Sequence, residues 1–141
     1  MAYPYKQVDV FSSKPFQGNP VAVFLEADHL ATEEMQRISN WMNLSETTFV
    51  VKPTRPEADY KVRIFDPFHE MPFAGHPTLG TAHAVLENGL QPKQREYLVQ
   101  ECGVGLVKIY VEKEGKYFFE LPNPKIDPIP KSDYPELAKL S

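Results

Sequence analysis

The stretch Gly75-His76-Pro77-Thr78-Leu79-Gly80-Thr81-Ala82-His83-Ala84-Val85-Leu86-Glu87-Asn88-Gly89 decides the fold. Pro77 suits the first position of a helix, where a missing N–H costs nothing, and Gly89 suits the position just past its end. Leu79, Ala82, Val85 and Leu86 form one apolar face at helical spacing. Gly80, Thr81, Ala82 and Ala84 are small enough for strands to approach closely. A helix that is mostly apolar is a buried one, so this helix is predicted to stand at the centre of the fold rather than on its rim.

Strands fall on both sides of it. Tyr5, Val8 and Val10 alternate with polar residues and Pro20–Leu25 reads as a more buried strand, with turn residues between them at 12–19. Thr32 is a candidate cap for a helix carrying Glu33 and Glu34 in its first turn and Met35, Ile38 and Met42 at helical spacing. Glu46–Val51 and Tyr60–Phe65 are rich in β-branched and aromatic residues and flank a Pro-containing connection, so they read as paired strands. Residues 66–76 read as a loop. Strands at Tyr97–Glu101, Val104–Glu112 and Lys116–Leu121 follow, the last two joined by a hairpin turn at Glu114-Gly115-Lys116. The fold class is α+β, a curved mixed or antiparallel sheet wrapped around a central helix.

Composition excludes several functions. The 141 residues fit one domain, and 42% hydrophobic with 24% charged residues is ordinary globular usage. A net charge of -4 argues against a nucleic-acid partner, which needs clustered Lys and Arg. With neither a signal-peptide pattern nor an apolar run of about 18 residues, the chain reads as cytoplasmic and without a membrane partner. Cys102 is the only cysteine, so no disulfide forms within the chain. Proline, at 14 residues, is about twice as frequent as the usual roughly 5%. Five of the 14 lie between Pro122 and Pro135, so 1–121 is taken as the domain and 122–141 as a Pro-rich linker leading into a second domain.

Candidate chemistry concentrates at two places. At Gly75-His76-Pro77-Thr78, glycine allows close backbone approach and the helix N-terminus attracts anions, so a substrate carboxylate fits there beside the His76 imidazole. A locally capped helix with a satisfied His76 is the plainer reading of the same residues. Glu46 opens a strand after Asn43-Leu44-Ser45, where Phe49 or its neighbours would desolvate it and raise its pKa; an exposed surface carboxylate is the alternative. Of the four histidines, none makes an H-E-x-x-H pair, and His76 and His83, seven apart, lie about 10 Å apart along a helix, which argues against a metal. Cys102 has no adjoining His or Lys and reads as a buried or turn-associated thiol. No phosphate-binding glycine motif is present.

Five blocks taken together resemble the PhzF family of phenazine biosynthesis. They are Asp9-Val10-Phe11, Gly18-Asn19-Pro20-Val21-Ala22-Val23, Asn43-Leu44-Ser45-Glu46-Thr47-Thr48-Phe49-Val50, Arg63-Ile64-Phe65 and Pro72-Phe73-Ala74-Gly75-His76-Pro77-Thr78-Leu79-Gly80-Thr81-Ala82. The resemblance implies one half of a diaminopimelate epimerase-like fold, in which two similar halves each wrap a sheet around a helix and the active site lies between them. It implies Glu46 as the catalytic acid/base and Ser45, Gly75 and His76 as substrate-binding residues, in a cofactor-independent isomerisation of a small unsaturated or cyclic carboxylate, with no metal. Cys102 lies outside the block where the cysteines of the family's epimerase cousins sit, so two-thiol racemisation is not implied.

Family members are about twice as long, and their second half supplies an Asp and a Ser or Gly-Ser turn that complete the cleft. The expectation is therefore an isomerase half-site completed by a second half or by homodimerisation. A catalytically silent binding or assembly domain with the same fold is the alternative.

Overall fold

A computed structural model describes residues 4–10, 18–112 and 115–121. Along the chain run β1 (Tyr5–Val10), β2 (Asn19–Phe24), α1 (Thr32–Met42), β3 (Glu46–Val51), β4 (Tyr60–Phe65), β5 (Glu70–Met71), α2 (Gly75–Glu87), β6 (Tyr97–Cys102), β7 (Gly105–Val111) and β8 (Tyr117–Glu120). The strands make one mixed sheet in the order β1-β2-β3-β4-β6-β7-β8, with β5 paired to β4. Its parallel pairs are β2/β3 and β4/β6, and each is spanned by a helix, α1 and α2 respectively, because a parallel return needs a long crossover. The turn expected over 12–19 lies largely outside the described residues, as does the stretch 122–141 assigned to a linker.

Side-chain alternation divides the sheet into two faces. Val21, Val23, Val50, Tyr60, Val62, Ile64, Leu98, Val107 and Ile109 pack on α2, whereas Ala22, Phe24, Phe49 and Phe65 pack with Met35 of α1. Phe49 stacks on Phe24 at 5.2 Å and meets Phe65 edge-on at 5.5 Å. Each such ring, fully buried, contributes about 1.5–3 kcal/mol. The α+β class and the central helix are as expected: Ala82, Ala84, Thr78 and Thr81 of α2 are wholly buried. Packing of α2 on the sheet is tight at Gly80, where an added Cβ would stand 2.4 Å from Val21 Cγ1.

Both helix starts differ from expectation. The cap of α1 is Ala31, not Thr32, which is the first helical residue. Its hydroxyl is engaged elsewhere, accepting from Arg63 Nη2 at 3.0 Å, while Glu34 Oε1 accepts the Ala31 N–H at 3.0 Å. In α2 the cap is Ala74, and Pro77 is the third residue rather than the first. All first-turn N–H groups lack intrahelical acceptors, so proline is tolerated throughout that turn and does not fix the register. Thr78 fixes it instead, donating from its hydroxyl to the Ala74 carbonyl at 2.8 Å. At the other end Gly89, with φ +100°, follows the Asn88 cap as expected.

The expected loop over 66–76 contains β5, whose two residues are too short a run to show periodicity. Asp66 shapes the turn before it, accepting the Phe68 and His69 N–H groups at 2.7 and 2.8 Å. At the C-terminal half of α2, His83 reaches Tyr117 Oη at 3.1 Å and Glu87 Oε2 at 3.2 Å, and Glu87 also pairs with Lys6. One helix thereby ties together β1 and β8, the two ends of the sheet.

Glu101 anchors the β3–β4 connection. Burial pushes its carboxyl up, but the Thr54 hydroxyl, the Thr54 and Arg55 N–H groups and Lys61 outweigh this and hold it below the usual carboxylate range. A carboxyl depressed in the folded state adds stability above its unfolded pKa of about 4.5, and that stability fades as pH falls through the folded value. Glu101→Gln is expected to cost about 1–3 kcal/mol at pH 7 and to flatten the loss of stability below about pH 4.5, as read from urea unfolding at several pH values.

Candidate functional site

Position in the strand places Glu46. It shares parity with Thr48 and Val50, and Val50 packs in the α2 core, so Glu46 points to the α2 side of the sheet. Phe49 has the opposite parity and belongs to the α1 layer. The expected shielding of Glu46 by Phe49 is therefore corrected: the ring lies on the other face. What stands against Glu46 is the start of α2, with His76 Nδ1 3.0 Å from Glu46 Oε2. The Glu46 side chain is 18% and the His76 side chain 8% exposed, so the pair is largely withdrawn from water yet reachable from it.

Local structure explains both placements. After α1, Asn43 takes the left-handed conformation with φ 55° and donates its N–H to the Ser39 carbonyl, turning the chain directly into β3. Asn tolerates that conformation better than most residues. Ser45 lies exposed just before Glu46, and Gly75 is buried as the first residue of α2, next to His76. The start of α2 carries no side-chain cap and no acidic residue in its first turn. The positive end of the helix dipole therefore remains available to an anion beside the Glu46–His76 pair.

Behind the pair lies a polar network that the sequence reading missed. Thr48 Oγ1 and Thr81 Oγ1 are 2.8 Å apart, Gln100 Nε2 donates to Thr78 Oγ1 at 3.2 Å, and Tyr60 Oη donates to Gln100 Oε1 at 3.1 Å. Burial, with smaller contributions from Cys102 and Asp59, pushes the Tyr60 phenol well above its ordinary value, so it is a neutral donor at any physiological pH. The one available signal was spacing: Thr48 is two residues beyond Glu46 on the same strand face.

Other candidates go elsewhere. Burial pushes the Cys102 thiol up, and its sulfur faces the Gly105 carbonyl at 3.7 Å, so it is no activated nucleophile. His69 pairs with Asp66 and His83 with Glu87, each within its own element or turn. A cleft of about 470 Å³ between β4, β5 and β6 includes neither Glu46 nor His76. Its charges are already matched, Arg63 with Glu70 at 2.8 Å and Glu101 with Lys61 at 3.9 Å.

Known proteins resemble the chain in sequence and in fold. Residues 8–139 match the PhzC-PhzF family of phenazine biosynthesis-like proteins. The chain belongs to that family. Among its relatives it is 54% identical over 112 residues to antisense-enhancing sequence 1 of Schizosaccharomyces pombe, covering 79% of this chain and 38% of that protein. It is 47% identical over 110 residues to trans-2,3-dihydro-3-hydroxyanthranilate isomerase of Pseudomonas aeruginosa, covering 78% and 38%. The crystal structure of a PhzF-family phenazine biosynthesis protein from Bacillus anthracis superposes with a TM-score of 0.72 at 36% identity, covering 86% of this chain and 40% of that one. The chain thus spans well under half the length of these relatives, and its fold is one half of a PhzF-like one. Among the described residues no helix is long and apolar enough to cross a membrane.

Proposed function

We propose that this chain supplies the proton-transfer half of an isomerase acting on a small unsaturated or cyclic carboxylate. The observation that carries the reading is the 3.0 Å contact between Glu46 and His76 at the uncapped start of α2. The substrate carboxylate sits on the Gly75 N–H and the helix dipole, with Ser45 at the rim of the site. The Glu46 carboxylate takes a proton from a substrate carbon, the electron pair moves along the conjugated system, and the same carboxyl returns a proton at another carbon. Reactant and product have the same composition, so the step needs no oxidant and no cofactor. The likeness to an isomerase named for a dihydro-hydroxyanthranilate supports this substrate class.

A second wall completes the cleft and excludes water, supplied by a complementary half or by a second copy of the chain. The test is incorporation of solvent deuterium into a cyclohexadiene carboxylate, followed by NMR, with and without the remaining portion of a PhzF-like relative. Exchange is expected with the complement present, and without it where a second copy of the chain closes the cleft; none under either condition would overturn the reading.

A catalytically silent assembly domain is the second reading. It rests on Trp41 at 80% and Phe68 at 79% exposure, on segments that adjoin through the Asn40–Pro67 hydrogen bond. Light scattering distinguishes the two, since this reading requires association that persists in a chain without deuterium exchange.

A further inference from the structure

A mostly apolar helix with small side chains has little to fix its rotation and axial position, because apolar contacts are non-directional. The first turn of α2 has no side-chain cap either, so the setting of His76 against Glu46 must come from elsewhere. The bonds of His83 and Glu87 to β8 and β1 hold the C-terminal half of α2; nearer His76, buried directional bonds reach the helix from β3 and β6, and the proton on each hydroxyl can be assigned. Thr81 spends its hydrogen on the Pro77 carbonyl at 2.6 Å, so in the 2.8 Å contact Thr48 donates and Thr81 accepts. Thr78 spends its hydrogen on Ala74, so it accepts from Gln100 Nε2, which leaves Gln100 Oε1 to accept from Tyr60. Thr78 and Thr81 thus each donate and accept, and Thr48 and Tyr60 each donate, in a wholly buried setting where an unmatched group would be costly.

We infer that Thr48 and Thr81 are positioning residues for the Glu46–His76 pair. Thr48 stands two residues from Glu46 on the same face of β3, and Thr81 stands five residues beyond His76 on α2. Their bond joins the strand that carries the carboxylate to the helix that carries the imidazole, and the Gln100–Thr78 bond holds the helix from β6. Removing the Thr48–Thr81 bond lets the helix turn by a few tenths of an ångström, which shifts His76 relative to Glu46 while leaving the anion-binding end of the helix intact.

This inference rests on the isomerase reading for its kinetic consequence but not for its structural one. Thr81→Val keeps the shape and removes the hydroxyl, and Thr81→Ser keeps the hydroxyl. With the site completed, Thr81→Val is expected to lower kcat about tenfold with KM changed less than about twofold, and Thr81→Ser to restore kcat. Independently of turnover, the ¹⁵N resonance of His76 Nδ1 should move in Thr81→Val toward its position in Glu46→Gln, and stay in place in Thr81→Ser. Thr48→Val should reproduce Thr81→Val, and the double variant should be no worse than either single one. It also serves as the test if Thr81→Val fails to fold. An unmoved His76 resonance in both valine variants, or one that moves as far in Thr81→Ser, overturns the inference. Absence of exchange in the unaltered protein sinks the isomerase reading alone, since the imidazole resonance still decides the positioning.

Discussion

On the proposed mechanism, Glu46→Gln is expected to lower solvent-deuterium exchange into substrate by about a hundred- to ten-thousand-fold, the range typical for loss of a general acid or base. Glutamine matches glutamate in shape and still reaches toward His76, so the site keeps its outline and loses only the group that accepts a proton. Glu46 opens β3 and is partly exposed, and its core-forming neighbours Thr48 and Val50 are untouched. The variant should therefore unfold within about 1 kcal/mol of the original, as is usual for substitutions away from buried features. Exchange followed by NMR in the completed site, beside a thermal melt of the same sample, separates chemistry from folding. Undiminished exchange in a folded Glu46→Gln protein would remove Glu46 from the mechanism and leave the helix end as a binding feature only.

Gly80→Leu destabilises the domain by at least about 3 kcal/mol, at the upper end of what overpacking costs. The first added atom already stands 2.4 Å from Val21 Cγ1 and 3.0 Å from Val10 Cγ2. Val21 is wholly buried and branched at Cβ, so it has no alternative rotamer to retreat into, and three further carbons must follow. The backbone of α2 has to move away from β1 and β2 instead. Leucine does favour a helix over glycine, but by only about 1 kcal/mol, which does not offset the clash. A melting temperature lower by about 10 °C is expected for a domain of this size, measured by circular dichroism. Because the shift displaces the helix that carries His76, exchange should fall along with stability. A variant that melts within about 2 °C of the original would show that the helix is not held as tightly as this contact requires.

The sequence alone made the architecture readable wherever a residue pattern repeats. Alternation in β1, an apolar run in β2 and β-branched and aromatic content in β3 and β4 exposed the strands, and the small, mostly apolar face of Leu79–Val85 announced a central helix, because these follow from local composition and spacing. Local spacing failed where a long-range bond set the boundary. Thr32 looked like a cap until Arg63, thirty-one residues away, claimed its hydroxyl. Pro77 looked like a first residue, yet α2 begins at Gly75 because Thr78 closes back onto Ala74. The two residues of β5 exist only because β4 offers them an edge.

The site divides in the same way. Glu46, Ser45, Gly75 and His76 stand out in the sequence as pieces of a family pattern, but the residues themselves leave Glu46 one carboxylate among 19 acidic side chains. The period of the strand alone sets Phe49, three residues on, opposite to Glu46; only the tertiary structure brought His76 to 3.0 Å from Glu46, since the seating of α2 is a property of the packed sheet and not of either segment. Only packing, too, joined Thr48 to Thr81 across 33 residues of chain. Sequence determined which groups are present and which faces are apolar; the closing of the sheet around α2 decided which of those groups meet, because distances between segments are set by the core they share.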